Sequence, residues 1–503
     1  MTERNPPGAY VQEIPGSVRP IAAVPTSRTV FIGRTARGQV GEPAVVRSMD
    51  EFRATFGGGP VGSAVDKSLA LFFTNGGTEA VVIRLFKPDS TGVTGRAFID
   101  TGPVVLEAAS EGEWGRRLEA RAVPSSKGLT RALGLRRGTF DLEVRDTPPG
   151  GSTVTEVHKS LVLADGPQRV DQVLARESRL VRCKTVTGKA APTKEFVPAV
   201  GGSDGLPLDE ASFTGASGGL RFLERANGFN LLYIPPYREG DVDPAVLAAA
   251  AERCRQLRAV LLVDPPRIWS EASEAAAGIE GIRRNMGKGA RNAALFFPYL
   301  RRRAGLSMVD LPPGPAVAGI IARTDAREGV WKAPAGTEAE VRGAEGSAVD
   351  LSDSDIGRLG PLGVNCLRKV HGRGLVVWGS RTLEGHADGG SEWRYLSVVR
   401  LSLFIEESLR QGLEWTAWEP NGPALWALVR SAAEAFLIDL YHRGAFQGST
   451  PREAFFVKCG RDTTTQAELD GGHLVLQAGI ATLRPAEFVS VSVPLRTGGT
   501  SPR

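Results

Sequence analysis

Ser391-Glu-Trp-Arg-Tyr-Leu-Ser-Val-Val-Arg-Leu-Ser-Leu-Phe-Ile-Glu-Glu-Ser-Leu-Arg-Gln-Gly412 and, further on, Glu487-Phe-Val-Ser-Val-Ser-Val-Pro494 carry two different hydrophobic periods. The first is that of an amphipathic helix, with Glu406 four residues before Arg410 for a surface pair and Gly412 as a stop. The second alternates strictly, placing Val489, Val491 and Val493 on one face of a strand that Pro494 closes. Between them a second helix opens at Asn421 with Pro423 in its first turn. It sets Leu425, Leu428, Val429, Ala432, Phe436 and Leu440 on one stripe with Arg430, Glu434 and Arg443 opposite, and stops near Gly444. A Thr450-Pro-Arg-Glu453 capping box follows, then strands over 455–460 and 472–483. Both helices need a core to cover their stripes. A terminal strand with an open edge needs cover or a partner, and strand addition is a standard use of such an edge. The residues leave pairing within the chain and exchange between chains equally open.

Several strings in this region resemble the sheath proteins of contractile phage tails and related injection systems. They are WGSRTL (378–383), SEWRYLSVVRLSLFIEESL (391–409), EPNGPALW (419–426), GSTPREAFFVKCG (448–460) and LRPAEFVSVSV (483–493). Upstream, PPGAYVQEIPGSVRPIAAVPTS (6–27), FFTNGGTEAVVIRL (72–85), FNLLYIPP (229–236), AVLLVDPP (259–266) and IARTDAREGVWKAPAG (321–336) continue the likeness in order. The resemblance fades over about residues 93–200.

Composition agrees with a large globular protein. At 503 residues the chain exceeds what one core usually holds, and roughly two to four domains are expected. Apolar residues make up 42% and charged ones 23%. The net charge of +5 comes from 61 basic and 56 acidic residues, with basic pairs scattered along the chain. A nucleic-acid binder concentrates its excess on one stripe, so no nucleic-acid partner is expected. Cys183, Cys254, Cys366 and Cys459 stand far apart and outside any CxxC motif, as free thiols in a reducing compartment do. The start, Met1-Thr-Glu-Arg-Asn, lacks a basic-then-apolar leader, and no apolar run approaches the ~18 residues of a membrane span.

Along the chain, Pro6, Pro7, Pro15, Pro20 and Pro25 mark residues 6–27 as an extended arm. A strand at 28–33, helices at 49–56 and 63–75 and a strand at 80–85 make an α/β unit. Residues 93–200 are turn-rich, with strands expected at 118–123, 139–144 and 153–163 and little helical period, as an inserted β-rich domain would read. Strands at 230–234, 259–263 and 293–297 alternate with helices at 244–257 and 270–284, the order of a parallel sheet. The Gly- and Ala-rich residues 335–348 read as a mobile connection.

Enzymatic motifs are weak. Gly201-Gly-Ser203-Asp-Gly205 and Gly215-Ala-Ser217-Gly-Gly219 match GxSxG, but neither serine stands between a strand and a helix as a nucleophile elbow requires. Gly281 to Gly289 has the wrong glycine spacing for a phosphate-binding loop, and Gly289 follows Lys288 where Ser or Thr is needed. Asp264 ends the strand at 259–263, where open α/β sheets bind ligands, with Asp241 and Asp243 beyond the preceding strand. A metal-binding or general-base carboxylate there competes with simple capping of the Pro265-Pro266 turn. The five histidines fall in no metal-ligand spacing.

The resemblance implies an α/β and α+β multidomain chain: a tail-sheath-like core with an inserted β-rich domain and extended N- and C-terminal arms. The expected divisions are an arm at 1–24, a middle domain at 25–92 and 204–347, the insertion at 93–203, a tube-facing assembly domain at 348–493 and a flexible tail at 494–503. The implied role is that of a structural subunit, not an enzyme, needing no cofactor. It polymerises helically as stacked six-subunit rings around an inner tube and contracts to drive the tube through a target envelope. The implied partners are copies of itself, the inner tube protein, and baseplate and terminator or cap proteins, without nucleic acid or membrane insertion. It would assemble in the bacterial cytoplasm, without a signal peptide, and end in a phage tail or phage-tail-like particle. Strand exchange between subunits would fall to Tyr10, Val11, Ile14, Phe488, Val489, Val491 and Val493, and Arg430 and Arg443 are candidates to face the tube. The competing readings are a cytoplasmic α/β hydrolase or nucleotide-utilising enzyme with a site near Asp264, and a non-contractile baseplate or scaffold protein.

Overall fold

The computed structural model describes residues 19–58, 63–89, 95–125, 139–187, 195–238, 240–384, 392–483 and 488–497. They divide into two compact units. One holds Thr26–Arg327 with Ala333–Arg394; the other holds Tyr395 onward, Glu328–Lys332 and the described residues through Pro25.

The larger unit is built on an eight-stranded sheet. Six parallel strands lie in the spatial order Ala80–Arg84, Thr29–Gly33, Leu231–Tyr233, Val260–Val263, Ala293–Phe297 and Val364–Val370. Ala44–Val46 and Gly374–Val377 close its two edges antiparallel. Every residue of the first five is buried, which suits near-continuous apolar runs covered on both faces. On one face Val30, Ile32, Leu232, Leu261 and Val263 share a core with the helices Pro244–Gln256 and Ala272–Met286. On the other, Phe31 meets Phe72 of the helix Ala64–Thr74 edge-on, with ring centroids 5.4 Å apart. That helix starts where Ser63 Oγ accepts the Asp66 N–H at 3.2 Å.

Residues Ala97–Gly201 form two antiparallel four-stranded sheets around a core of their own, including Ile99, Leu106, Leu118, Leu142, Val144 and Leu161. The strands Leu118–Pro124, Phe140–Asp146 and Val154–Leu161 fall where alternation places them. The strands Ala97–Asp100, Val104–Ala108 and Val181–Val186 and the helix Val170–Glu177 were not legible, being too short to establish a period. The two layers meet the central sheet at Arg84, whose guanidinium is buried at a strand end. It donates to Gly38 O (2.9 Å), Thr35 O (3.3 Å), Glu111 O (2.8 Å) and Glu111 Oε2 (3.1 Å).

The compact unit runs on to Arg394, because Val364–Val370 pairs in parallel with Ala293–Phe297 and extends the central sheet. One sequence expectation is corrected in this unit. The segment read as a mobile connection is tied down by its backbone. The Gly336 N–H donates to Val377 O (2.8 Å), Val341 N–H to Leu375 O (2.8 Å) and Glu345 N–H to Arg301 O (2.8 Å). Small side chains there permit close approach to a strand edge, so composition alone misleads.

The smaller unit packs the helices Leu396–Gly412 and Pro423–His442 with an antiparallel sheet of Phe455–Cys459, His473–Ala481 and Phe488–Arg496, the second strand in the middle. Leu425, Val429, Ala432, Phe436 and Leu440 are buried, as their stripe requires. Gly412 is the last residue of its helix rather than the stop beyond it; a Cβ there would strike Ile21, so the glycine admits the incoming chain. Thr450 caps its helix without a side-chain hydrogen bond, and Glu453 accepts the Ser449 N–H (2.8 Å) instead. Arg410 pairs with Glu407 (2.7 Å) and Glu414 (3.1 Å). The last strand continues through Pro494 to Arg496, three residues into the expected tail. A proline is tolerated because the strand lies at the sheet edge, where a missing N–H need not break a ladder.

Candidate assembly interface

The Phe488–Arg496 strand pairs along its whole length with His473–Ala481, in register from Ala481 opposite Phe488 to His473 opposite Arg496. Within one chain, therefore, the intramolecular pairing is made. Val493, 1% exposed, and Leu495 turn inward opposite Leu476 and Leu474, whereas Ser492, Pro494 and Arg496 turn out. Among the described residues no strand pairs with the outer side of this strand. Tyr10, Val11 and Ile14 lie outside the described residues.

Arg19, the first described residue, and Arg496, at the end of the last strand, both touch one 3₁₀ turn, Glu414–Trp418. Thr416 Oγ1 donates to Arg496 O (3.0 Å) at the end of the last strand. Arg19 lies over the Trp415 ring (4.8 Å to the centroid) and within 3.8 Å of Glu419. From there the chain follows the helix Leu396–Gly412, where the Val24 N–H donates to Ser408 Oγ (3.2 Å). Sequence reading missed this turn, whose only signal is a pair of tryptophans in a loop.

The two arginines differ in surroundings. Arg430 Nη1 donates to Cys459 O (3.0 Å), binding its helix to the strand Phe455–Cys459. Arg443 is exposed beyond the helix end, 3.8 Å from Asp439 and over the Trp331 ring at 5.4 Å.

Asp264 does sit at a strand end, beside a cavity of about 180 Å³ lined by Ile234, Asp241, Leu262, Met286 and Tyr299. Both carboxylate oxygens are engaged: Tyr233 Oη donates to one (2.6 Å) and the Gly314 N–H to the other (2.8 Å). The group thus clamps a strand to the start of the helix Gly314–Glu328. Burial pushes its pKa up to about 7 against these two hydrogen bonds. The folded chain then holds this proton more tightly than the unfolded chain between pH ~4 and ~7, so stability falls as pH rises through that window. A rise from 3.8 to about 7 caps the change at about 4 kcal/mol. Urea titrations of wild type and Asp264→Asn from pH 4 to 8 check this: the wild type loses stability with rising pH, and the variant lacks that component of the slope.

The other motifs resolve as turns. Ser203 Oγ accepts the Gly205 N–H at 3.0 Å, and Ser217 lies between the short helix Glu210–Thr214 and the 3₁₀ turn Gly219–Arg225. Among the described residues no group of three His, Cys, Asp or Glu is placed to hold a metal, and no helix is long and apolar enough to cross a membrane.

The phage tail sheath protein central domain matches residues 226–383 and the phage tail sheath C-terminal domain residues 388–496, together more than half of the chain. The chain belongs to the contractile tail sheath family. The junction between the two matched domains lies near the end of the larger unit. A prophage major tail sheath protein of Pseudomonas aeruginosa is 26% identical over 255 residues, 48% of this chain and 59% of that protein. The curated relative is thus matched over little more than half its length. Solved sheath folds match almost end to end. A sheath tail protein from Listeria innocua has a TM-score of 0.66 at 15% identity, covering 95% of this chain and 96% of that one. The contracted helical sheath of the anti-feeding prophage has a TM-score of 0.57 at 21% identity, covering 97% and 98%.

Proposed function

We propose that this sheath-family chain is the repeating structural subunit of a contractile sheath, polymerising as stacked rings around an inner tube and contracting to drive that tube through a target envelope. The observation that carries the reading is the terminal strand, a nine-residue ladder at a sheet edge with no described strand on its outer side; on this reading the same ladder forms in a neighbour's sheet. Exchange keeps every pair of the ladder and changes only which chain supplies it. A backbone hydrogen bond contributes only about 0.5 to 1.5 kcal/mol net. Repeated along the strand and with every neighbour, such bonds make a mesh through avidity that holds while subunits rotate as rigid bodies. Phe488, Val489, Val491 and Val493 would supply the exchanged strand, and Tyr10, Val11 and Ile14 the arm at the other end. Arg443, exposed, is the better placed of the two arginines to meet a tube; Arg430 serves its own fold. Contraction would release free energy held in the interfaces, so the subunit need not be an enzyme, and its place is a phage tail or phage-tail-like particle whose baseplate and terminator it adjoins.

Gln477 and Ser492 stand directly opposite each other in the ladder, a placement from which a small approach of the strands lets two cysteines bridge. Gln477→Cys with Ser492→Cys therefore tests the exchange. Oxidised tubes, imaged by negative-stain electron microscopy and run on a denaturing gel, are expected to give a ladder of covalently joined chains, and dilute monomers a single internally linked chain. Tubes yielding only internally linked chains would eliminate exchange of this strand.

A further inference from the structure

The hairpin of Leu300–Ala304 and Ser307–Leu311 is covered only at its base. Leu300 and Leu311, opposite each other, are buried, and the short strand Gly346–Ser347 pairs only with Leu300 and Arg301. Every residue from Arg302 to Val309 is exposed, so the ribbon stands in solvent on both faces. A two-stranded ribbon without a packed face is marginal in water, and this one also carries Leu306, fully exposed at the tip, with Met308 and Val309 at 46% and 40%. Three arginines stand among these apolar side chains. Arg301 is held by Asp310 (3.0 Å) and Arg303 lies 3.7 Å from Glu345, whereas Arg302 makes no ion pair among the described residues. Such a ribbon fits a partner that offers an apolar floor with an unpaired carboxylate at its rim.

The same unit carries such a place. The short helix Glu210–Thr214 and the loop after Leu231–Tyr233 line an open groove of about 680 Å³. Pro207, Leu208 and Tyr237 form its apolar part, and Tyr237 is fixed by stacking on Phe213 (4.5 Å between ring centroids) and by donating to Asp243 (2.8 Å). Two of the groove's carboxylates are paired, Asp209 with Lys87 (2.5 Å) and Asp243 with Arg238 (2.9 Å). A third, Glu210, is exposed and makes no ion pair among the described residues. We infer that the hairpin tip of one copy of this chain seats in this groove of a second copy, with Leu306 on the floor of Leu208 and Tyr237 and Arg302 against Glu210. Resting on the sheath reading, this seat adds a contact made by neither chain end. Charge complementarity selects the occupant, because the hairpin brings an unpaired cation and the groove an unpaired carboxylate, each beside exposed apolar surface. A knob and a socket on different parts of one chain make a head-to-tail contact, whose repetition closes a ring or grows a helix.

The test uses a trace of full chain with Cys183→Ser and Leu306→Cys, the new thiol carrying acrylodan, whose emission moves to the blue on leaving water. The other cysteines, Cys254, Cys366 and Cys459, are buried and escape the label in the folded chain. Adding unlabelled full chain should shift the label blue, and unlabelled Glu210→Arg should need at least a tenfold higher concentration for half the shift. Arg302→Glu in the labelled chain should bring the same loss with unlabelled wild type, and the swapped pair of Arg302→Glu with Glu210→Arg should recover to within about threefold. Urea midpoints should not move, since both substitutions fall on exposed side chains. An equal shift with Glu210→Arg, or a swapped pair that does not recover, would overturn the seat. A label that stays red while tubes form would overturn the docking and leave the sheath standing. A blue shift without tubes at any concentration would leave the docking standing and overturn the self-assembling sheath, and a red label without tubes would overturn both. A label that turns blue only when tube or baseplate proteins are added would give the hairpin to that component and overturn the contact between copies.

Discussion

Val493→Asp is expected to detach the terminal strand from its sheet without unfolding the rest of the chain. Val493 is 1% exposed, stands opposite Leu476 and shares an inward face with Leu495, so its replacement places a carboxylate where the strand buries apolar side chains. Loss of the buried valine and desolvation of the charge together cost about 3 to 5 kcal/mol. A strand at a sheet edge has no second ladder to retain it, so the cost appears as local opening. Amide hydrogen exchange over 488–496 should accelerate by roughly a hundredfold or more, while amides of the central sheet keep their protection. Ser492→Asp, one residue away on the outward face, should leave exchange unchanged. Since a neighbour's sheet would offer the same apolar seat, Val493→Asp should also abolish tubes. Tubes of normal length from this variant would show that assembly does not use the strand.

The second large effect is expected at Arg84→Met. The guanidinium holds two loop carbonyls, Thr35 O and Gly38 O, together with the backbone and carboxylate of Glu111, and so joins the central sheet to the inserted sheets. Burial pushes its pKa down and Glu111 opposes the shift, leaving the cation charged and paired. Methionine replaces the volume but none of the donors, and leaves the carbonyls unpaired. Breaking one partner of a buried pair typically costs about 3 to 5 kcal/mol. Arg96 remains 3.0 Å from Glu111, which spares the carboxylate from isolation and sets the expectation near the lower figure. The urea midpoint of the larger unit should fall accordingly, and the unfolding of the smaller unit should not move. Equal midpoints would mean that the carbonyls find water.

Much of this architecture was legible because it is written in local periods. The apolar runs at 259–263 and 293–297 have no polar face to offer water, so they could only be strands covered on both sides, and the helices between them made the sheet parallel. The stripe from Leu425 to Leu440 announced its own buried face. What local period does not carry is the choice of distant partners. Residues 335–348 looked loose because Gly and Ala have little side chain, yet that feature lets their backbone bond to the strand Gly374–Val377. Asp264 read as the cap of the Pro265-Pro266 turn more readily than as a catalytic carboxylate; the structure shows it clamping Tyr233 and Gly314, the second 50 residues further along the chain. The Trp418 turn gave no periodic signal at all.

The sequence by itself determined the strongly periodic helices and the apolar strands of the central sheet and which of their faces are apolar, because those properties depend on sterics and burial within a few residues. It also carried the family likeness, through motifs in a preserved order. Only the tertiary structure decided that Val364–Val370 joins the central sheet, that Arg84 is buried among carbonyls, that Pro494 sits inside a strand, and that Arg19 and Arg496 meet one turn, at Trp415 and Thr416. Each of these depends on contacts between residues far apart in the chain, whose free energy appears only when the whole core is formed.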